Sequence, residues 1–318
     1  MITDRMSMAA PRFAARPGHG PTMSGFSAHW LALREPVDAR SRDPGLLGMV
    51  RDVFSGHAMI RIVDLGCGTG ASLRALAPHL GARQDWTLID HDPVLLDAAR
   101  AALAAWADTA TPRQDGLVLV RAGQTITVRC RSVDLARNLD DALTGGSDLV
   151  TASAFFDLVS AGFIQAFATA AAKRGAAVYA TLTYDGVQAW EPPHPGDTAI
   201  QAAFNAHQGS DKGFGPAAGP VAPALLADTL AASGFQVICR DSPWHLGAGD
   251  IDLLRMLLSG VADAVAETGR VDPAILARWR DVRRHAGRIG HIDTLALPSR
   301  LAAVIRPGPG APDAVSSG

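Results

Sequence analysis

Apolar residues along this chain recur in two alternating rhythms, and the alternation predicts its architecture. Residues 60–65 form a short apolar run that reads as a buried strand closed by a Gly-rich turn. Leu73, Leu76 and Leu80 then repeat at helical spacing until Gly81 stops the helix. A second strand over 86–90 leads to Asp92-Pro93, a capping residue and first-turn proline for a helix through Trp106. Residues 117–121 and 125–131, joined by Ala122-Gly123, read as a hairpin feeding the third strand. A short helix near 136–143, a strand at 148–152, a helix at 159–174 stopped by Gly175, and a strand at 177–184 follow. This βαβαβαβαβ order is the pattern of an open parallel sheet with helices on both faces. Residues 185–220, rich in Gly and Pro and without a clear period, predict a long loop of the functional or mobile kind. A helix at 222–233, a strand at 235–240, helices within 249–285 and a last strand near 291–297 complete the reading.

Composition narrows the setting. A chain of 318 residues that is 48% hydrophobic can bury one large core, and a single elaborated domain over residues 26–305 fits best. Residues 1–25 and 306–318 lack a hydrophobic period and are expected to be disordered tails. The net charge of −2 supplies no positive field for a phosphate-rich polymer, which argues against nucleic acid as a partner. Cys67, Cys130 and Cys239 lie far apart and form no CxxC pair, so neither a metal site nor a disulfide framework is expected. No run of 18 apolar residues appears, and the N-terminal stretch lacks the apolar segment of a secretory signal. The expectation is a cytoplasmic monomer or homodimer with no membrane partner.

The chemistry concentrates in Val63-Asp64-Leu65-Gly66-Cys67-Gly68-Thr69-Gly70, where a buried strand turns into a helix. Each glycine admits a ligand closer than a Cβ would, and a helix N-terminus offers free N–H groups. A glycine count alone does not identify the ligand, because Gly66, Gly68 and Ala71 also satisfy the G-x-G-x-x-[GA] pattern of dinucleotide sites. Asp64 tips the balance. A carboxylate two residues before the first glycine is an awkward neighbour for a pyrophosphate, whereas S-adenosylmethionine carries a sulfonium and an ammonium and no phosphate.

VDLGCGTG resembles motif I of the class I S-adenosylmethionine-dependent methyltransferases, an acidic residue followed by G-x-G-x-G, and the similarity in element order covers roughly residues 45–300. The resemblance implies a doubly wound, mostly parallel seven-stranded α/β sheet of Rossmann-like form, with helical additions at the N-terminus and before the last strand. It implies a cofactor half at about 45–155, a substrate half at about 156–305 and a helical cap at about 249–285. Carried over by position, Asp64 orders the turn and meets the methionine end of the cofactor through water or backbone, while Gly66, Cys67, Gly68 and Gly70 form the turn. Asp90, ending the second strand, takes the ribose hydroxyls, with His91 beside it. Asp134 faces the adenine amino group, and Ser153 and Ala154 line the meeting point of cofactor and substrate. The (D/N)PP(Y/F) motif of the family's nucleic-acid and amine subclasses is missing. The implied activity is methyl transfer to a small molecule, with oxygen slightly preferred over nitrogen or carbon as acceptor. A non-catalytic S-adenosylmethionine-binding protein and an NAD(P)-dependent oxidoreductase are the alternatives.

Methyl transfer needs alignment more than covalent help, so acceptor-side residues carry weak signals. The segment 205–215 packs His207 and Lys212 between glycines: His207 is a candidate base or polar anchor and Lys212 a candidate ligand for an anionic group, against the plainer reading of a solvated loop. Tyr184 and Asp185 end the fifth strand and face the mouth of the sheet, where they are candidates to touch substrate, Tyr184 as a catalytic residue. Trp190, Trp244, Phe204 and Phe214 are candidates for an aromatic wall, or for core packing. Arg280, Arg284 and Arg288 predict a basic stripe on one helix, or a solvated face with Asp281 as counter-charge.

Overall fold

The computed structural model describes residues 26–302, so both expected tails lie outside the described residues. Two helices precede the sheet: α1 (Ala28–Ser41), capped by the Ser27 side chain, and α2 (Pro44–Phe54), capped by Asp43 with proline in its first turn. The sheet then begins with β1 (Ile60–Leu65), α3 (Ala71–Leu76), β2 (Arg83–Asp90) and α4 (Pro93–Trp106). Asp92 caps α4 by accepting the Val94 N–H, as the Asp-Pro pair predicts. A meander of β3 (Thr109–Arg113), β4 (Gly116–Arg121) and β5 (Gln124–Ser132) leads into α5 (Leu135–Ala142). Then come β6 (Leu149–Ser153), α6 (Ala161–Arg174), β7 (Ala177–Glu191), α7 (Asp197–Gln208) and α8 (Ala222–Ala232). The chain closes with β8 (Phe235–Asp241), β9 (Trp244–Leu246), α9 (Ile251–Thr268), α10 (Pro273–Asp281), β10 (Ala286–Pro298) and α11 (Ser299–Ala302).

All ten strands belong to one sheet in the order β3-β4-β5-β2-β1-β6-β7-β10-β8, with β9 also paired to β10. The expected α/β class holds, but among the described residues the sheet has ten strands, not seven, and is mixed, not mostly parallel, because both edges are built of antiparallel pairs. The additions sit at the edges: β3 extends the hairpin, and the short β9 pairs with the amino-terminal part of β10. The five central strands β5, β2, β1, β6 and β7 run parallel, and β10 runs antiparallel to both its long neighbours. From β1 the chain winds outward through β2 to β5, then returns to place β6 and β7 on the other side of β1. Where the winding reverses, between β1 and β6, the carboxyl ends of the strands open a crevice.

Three apolar cores build the layers. One packs α2, α3 and α4 on one face of the sheet around Trp86 and Leu88. A second packs α5, α6 and α8 on the other face around Ile89 and Val150. The third lies beyond the carboxyl ends of the parallel strands, where α1, α7, α9 and α10 close around Leu182, Tyr184 and Ile289.

The predicted loop at 185–220 is the largest correction. β7 runs past its last pairing with β6, at Ser153 opposite Thr181, and continues along β10 to Glu191 opposite Ala286. Residues 186–191 alternate buried and exposed, the signature of a half-covered strand. α7 follows, burying Ile200, Ala203, Phe204 and His207 at helical spacing. The basic stripe is corrected too, because α10 ends at Asp281. Arg284 is buried past that end, stacked 4.2 Å from the Trp279 ring and bonded to Asp197 at 3.0 Å, while Arg288 belongs to β10.

Leu88 is fully buried on β2, between β1 and β5. Leu88→Ala should cost about 2–5 kcal/mol in urea unfolding, the usual range for a core leucine cavity. A loss below about 1 kcal/mol would contradict the packing of this face.

Candidate functional site

The crevice begins with Asp64. It is the fifth residue of a strand buried at five of its six positions, and it is itself fully buried. Neither carboxylate oxygen has a partner at hydrogen-bonding geometry. Burial pushes its carboxyl up to about 8; the Arg42 guanidinium opposes this, the Asp90 carboxylate adds to it, and the Ser72 hydroxyl opposes it. The turn above it bends through three positive φ values, +63° at Gly66, +52° at Gly68 and +77° at Gly70, which favour glycine. A Cβ on Gly66 would stand 2.7 Å from the Phe155 ring, and one on Gly68 would stand 2.9 Å from Leu31 of α1. Leu31 and Phe155 therefore cover the turn from two sides.

Asp90 ties the second glycine to the end of β2. One of its oxygens accepts the Gly68 N–H at 2.9 Å and the other accepts the Asp92 N–H at 3.1 Å. His91 Nδ1 lies 3.4 Å from the same carboxylate, and this hydrogen bond raises the His91 pKa against the opposing effect of burial. Ser153 closes the end of β6, where its hydroxyl is 3.4 Å from Arg42, and Arg42 also bonds the Thr181 hydroxyl on β7. The thiol of Cys67 is buried and pushed well above its ordinary value by that burial. It is a packing residue in the turn, and none of the three cysteines is paired.

A cavity of about 250 Å³ opens over this turn and extends under α1 toward β7, β10 and α7. Its wall brings together Gly66, Cys67, Gly68, Asp90, His91, Ser153, Tyr184 and Lys212 from the sequence-based candidates. Asp64 lies beneath the turn, and Gly70 serves as the N-cap of α3, so neither is on the wall. Asp134 is engaged in capping α5, accepting the Ala136 N–H at 3.1 Å, and the wall at this point is formed by Val133 and Leu135. His207 is not in a loop but in the last turn of α7, off the wall. Its Nε2 lies 3.2 Å from Glu267 of α9, and burial lowers its pKa. Of the proposed aromatic wall, Phe204, Phe214 and Trp244 line the cavity, whereas Trp190 packs edge-on against Trp279.

Several wall residues carried no sequence signal. Arg34 makes a two-point bond to Asp38 at 2.8 and 3.2 Å, Asp38 accepts the Trp244 indole N–H at 2.9 Å, and the Arg34 guanidinium lies 5.0 Å over that indole. Glu35, on the same helix, binds Arg74 of α3 at two points of 2.6 Å, and Arg74 donates to the Thr69 carbonyl within the glycine turn. The helix over the cavity is thus bolted to the turn beneath it. Asp157, Gln188 and His291 complete the inner wall. Asp157, four residues past the end of β6 and directly after two phenylalanines, is the one of these that a closer reading of the sequence could have flagged.

No protein-family model matches the chain, and no characterised protein matches it in sequence. Solved structures similar to it include a cyclopropane synthase from Mycobacterium tuberculosis, 12% identical, covering 85% of this chain and 94% of that one with a TM-score of 0.46. A SAM-dependent methyltransferase from Thiobacillus denitrificans, in complex with S-adenosyl-L-homocysteine, is 15% identical over 86% of this chain and 99% of that one, with a TM-score of 0.42. Magnesium protoporphyrin IX methyltransferase from Synechocystis PCC 6803, with bound SAH, is 15% identical over 85% and 84% of the two chains, with a TM-score of 0.40. Likenesses this distant leave the case for function to the site itself.

Asp64 makes a prediction in pH. Its carboxyl titrates near 8 when folded and near 3.8 in the open chain, so between those values the folded protein holds a proton that the unfolded chain has released. Stability must therefore fall as pH rises through that window, by up to ~1.4 kcal/mol per pH unit from this group. Asp64→Asn should lose that slope, so its stability relative to the parent should improve between pH 5 and pH 8 in urea unfolding. Parallel profiles would contradict the burial of an ionisable carboxyl here.

Proposed function

We propose that this chain is an S-adenosylmethionine-dependent methyltransferase acting on a small-molecule acceptor, with oxygen preferred as the acceptor atom. The observation that carries the proposal is the buried Asp64 beneath a turn of three positive-φ glycines, with Asp90 bonded to the second of them, at the point where the sheet reverses its winding.

The residues present fit that cofactor. Asp64 places negative charge or a proton-sharing carboxyl under the turn, where a cationic methionine end would be favoured and a pyrophosphate would not. Asp90 has used two acceptor positions on backbone N–H groups, and a carboxylate offers about four, so capacity remains for a pair of ribose hydroxyls. Leu95, Val133 and Leu135 supply apolar side chains on the wall against which an adenine could pack. When bound, the cofactor supplies an electrophilic methyl group on a sulfonium. The chain's part is binding, alignment and exclusion of water. Phe155 and Leu31 hold the turn dry from two sides, and α1 covers the cavity through Trp30, Leu31 and Arg34. Tyr184 is an unsuitable base: burial pushes its phenol far up, and its hydroxyl is engaged with Asn205 at 2.8 Å and Gln188 at 3.1 Å. It positions the wall instead. Lys212, with Ser210 and the His207 carbonyl as partners, stands at the acceptor end.

Isothermal titration of the purified chain with S-adenosylmethionine and S-adenosylhomocysteine should give micromolar binding. Asp90→Ala should weaken it about 100-fold, the effect of losing charge-assisted hydrogen bonds together with the tether on Gly68. Binding of NADH in place of S-adenosylmethionine by the folded protein would overturn the proposal in favour of an oxidoreductase.

A further inference from the structure

The cavity has two chemically different ends. The end over the glycine turn is the one assigned above to the cofactor. The inner end, under α1 and between β7, β10 and α7, carries polar atoms that the protein itself leaves without partners. Asp157 is 9% exposed, Gln188 8% and His291 6%, and each contributes one buried atom with no hydrogen-bond partner: Asp157 Oδ1, Gln188 Oε1 and His291 Nδ1. Two of these atoms can only accept. Gln188 keeps its amide oxygen free because its NH₂ donates to the Tyr184 hydroxyl, which in turn points its proton at Asn205. Burial holds the Asp157 carboxyl up at about 6, opposed by its own backbone N–H, the Arg34 guanidinium, the Tyr184 backbone N–H and the Lys212 ammonium. Burial also pushes His291 down to about 3, leaving its ring neutral. A buried polar atom without a partner costs about 1–3 kcal/mol, so three on one wall, two of them acceptors, point to a ligand that satisfies them.

Charge at this end is balanced. Arg34 is bonded to Asp38 at two points, and Lys212, attracted by Asp157 and Glu267, already donates to Ser210 at 2.8 Å and to the His207 carbonyl at 3.3 Å. Neither cation is left to attract an anion, and no carboxylate stands without a cation nearby. The remaining wall is aromatic: Phe204 packs edge-on to Tyr184 with ring centres 5.9 Å apart, Trp244 lies 5.1 Å from His291, and Phe214 meets Phe155 edge-on at 5.9 Å.

We propose that this inner end, built on Asp157, Gln188 and His291, is a binding subsite for a small uncharged molecule that presents an O–H or N–H donor from a flat apolar body. That this molecule is the methyl acceptor rests on the function proposed above; that the subsite binds it does not. Asp157 is the residue at which the donor's hydrogen is received.

The test uses four probes on the full chain: phenol, toluene as its near-isostere without a donor, benzoate as an anion and benzylammonium as a cation. In ligand-detected NMR titrations at pH 7.5, phenol should bind about tenfold more tightly than toluene, benzoate or benzylammonium, the discrimination expected when a buried acceptor is otherwise left unpaired. Asp157→Leu and Gln188→Leu should each abolish the preference for phenol over toluene. Asp157→Leu should also gain benzoate binding, because Lys212 then keeps only Glu267 of the two carboxylates that attract it. Equal binding of toluene and phenol, tighter binding of benzoate by the unaltered chain, no phenol binding at ~10 mM, or a phenol preference that survives both substitutions would each overturn the subsite. S-Adenosylmethionine titration of the same preparations separates the two readings. Cofactor binding without phenol preference defeats the subsite alone, and phenol preference without cofactor binding defeats the methyltransferase reading alone.

Discussion

Burying a carboxyl group that lacks hydrogen-bond partners is among the costlier things a fold can do, and this fold does it at the centre of its sheet, where burial keeps the group protonated up to about pH 8. Asp64 sits near the end of β1 with no exposed surface, and the Arg42 guanidinium opposes the rise that burial imposes on its pKa. Arg42 in turn spans the strand ends, bonding Thr181 on β7 and approaching Ser153 on β6. Asp90 adds a second carboxylate at the neighbouring strand end and holds the glycine turn by the Gly68 N–H. Two carboxyls and one guanidinium thus occupy the carboxyl ends of four adjacent strands. Of these three groups only Asp90 is on the cavity wall, so under the proposed function the wall favours a cationic ligand over an anionic one.

The upper layer depends on the same turn. α1 reaches it through Leu31, whose side chain would clash with any Cβ on Gly68, and through the Glu35–Arg74–Thr69 chain of bonds. The same helix carries Arg34 and Asp38 into the cavity and anchors Trp244. β7 and β10 outrun the parallel strands and raise Tyr184, Gln188, Ile289 and His291 to face it. Under the proposed function, the sheet ends would support the cofactor and what rises beyond them would receive the acceptor.

This division also explains what was legible in the sequence. The turn from Asp64 to Gly70, the placement of Asp90 at a strand end and the Asp92-Pro93 helix start depend on residues adjacent in the chain, and the spacing revealed them. The continuation of β7 and the whole of α7 were hidden because Gly186, Pro192, Pro193, Pro195 and Gly196 punctuate the segment. Gly186 lies inside the strand and the other four mark the bend between two regular elements, not an absence of structure, and Ile200, Phe204 and His207 already carry the helical period. His207 and Lys212 are close in sequence, but the end of α7 falls between them, sending His207 to Glu267 and leaving Lys212 on the wall. Arg42, Gln188 and His291 could not be found by local reading, because each acquires its neighbours from an element more than a hundred residues away or from a strand extension the sequence disguised.

The central claim is that a ligand rests on the glycine turn beneath α1. Backbone hydrogen exchange of the chain, followed by mass spectrometry with and without S-adenosylmethionine, tests it most directly. Slowed exchange is expected in residues 66–72 and in α1, the two segments that the Glu35–Arg74 bond couples, with the far edge at β3 and β4 unchanged. Protection elsewhere, with residues 66–72 and α1 unaffected by saturating S-adenosylmethionine, would contradict it.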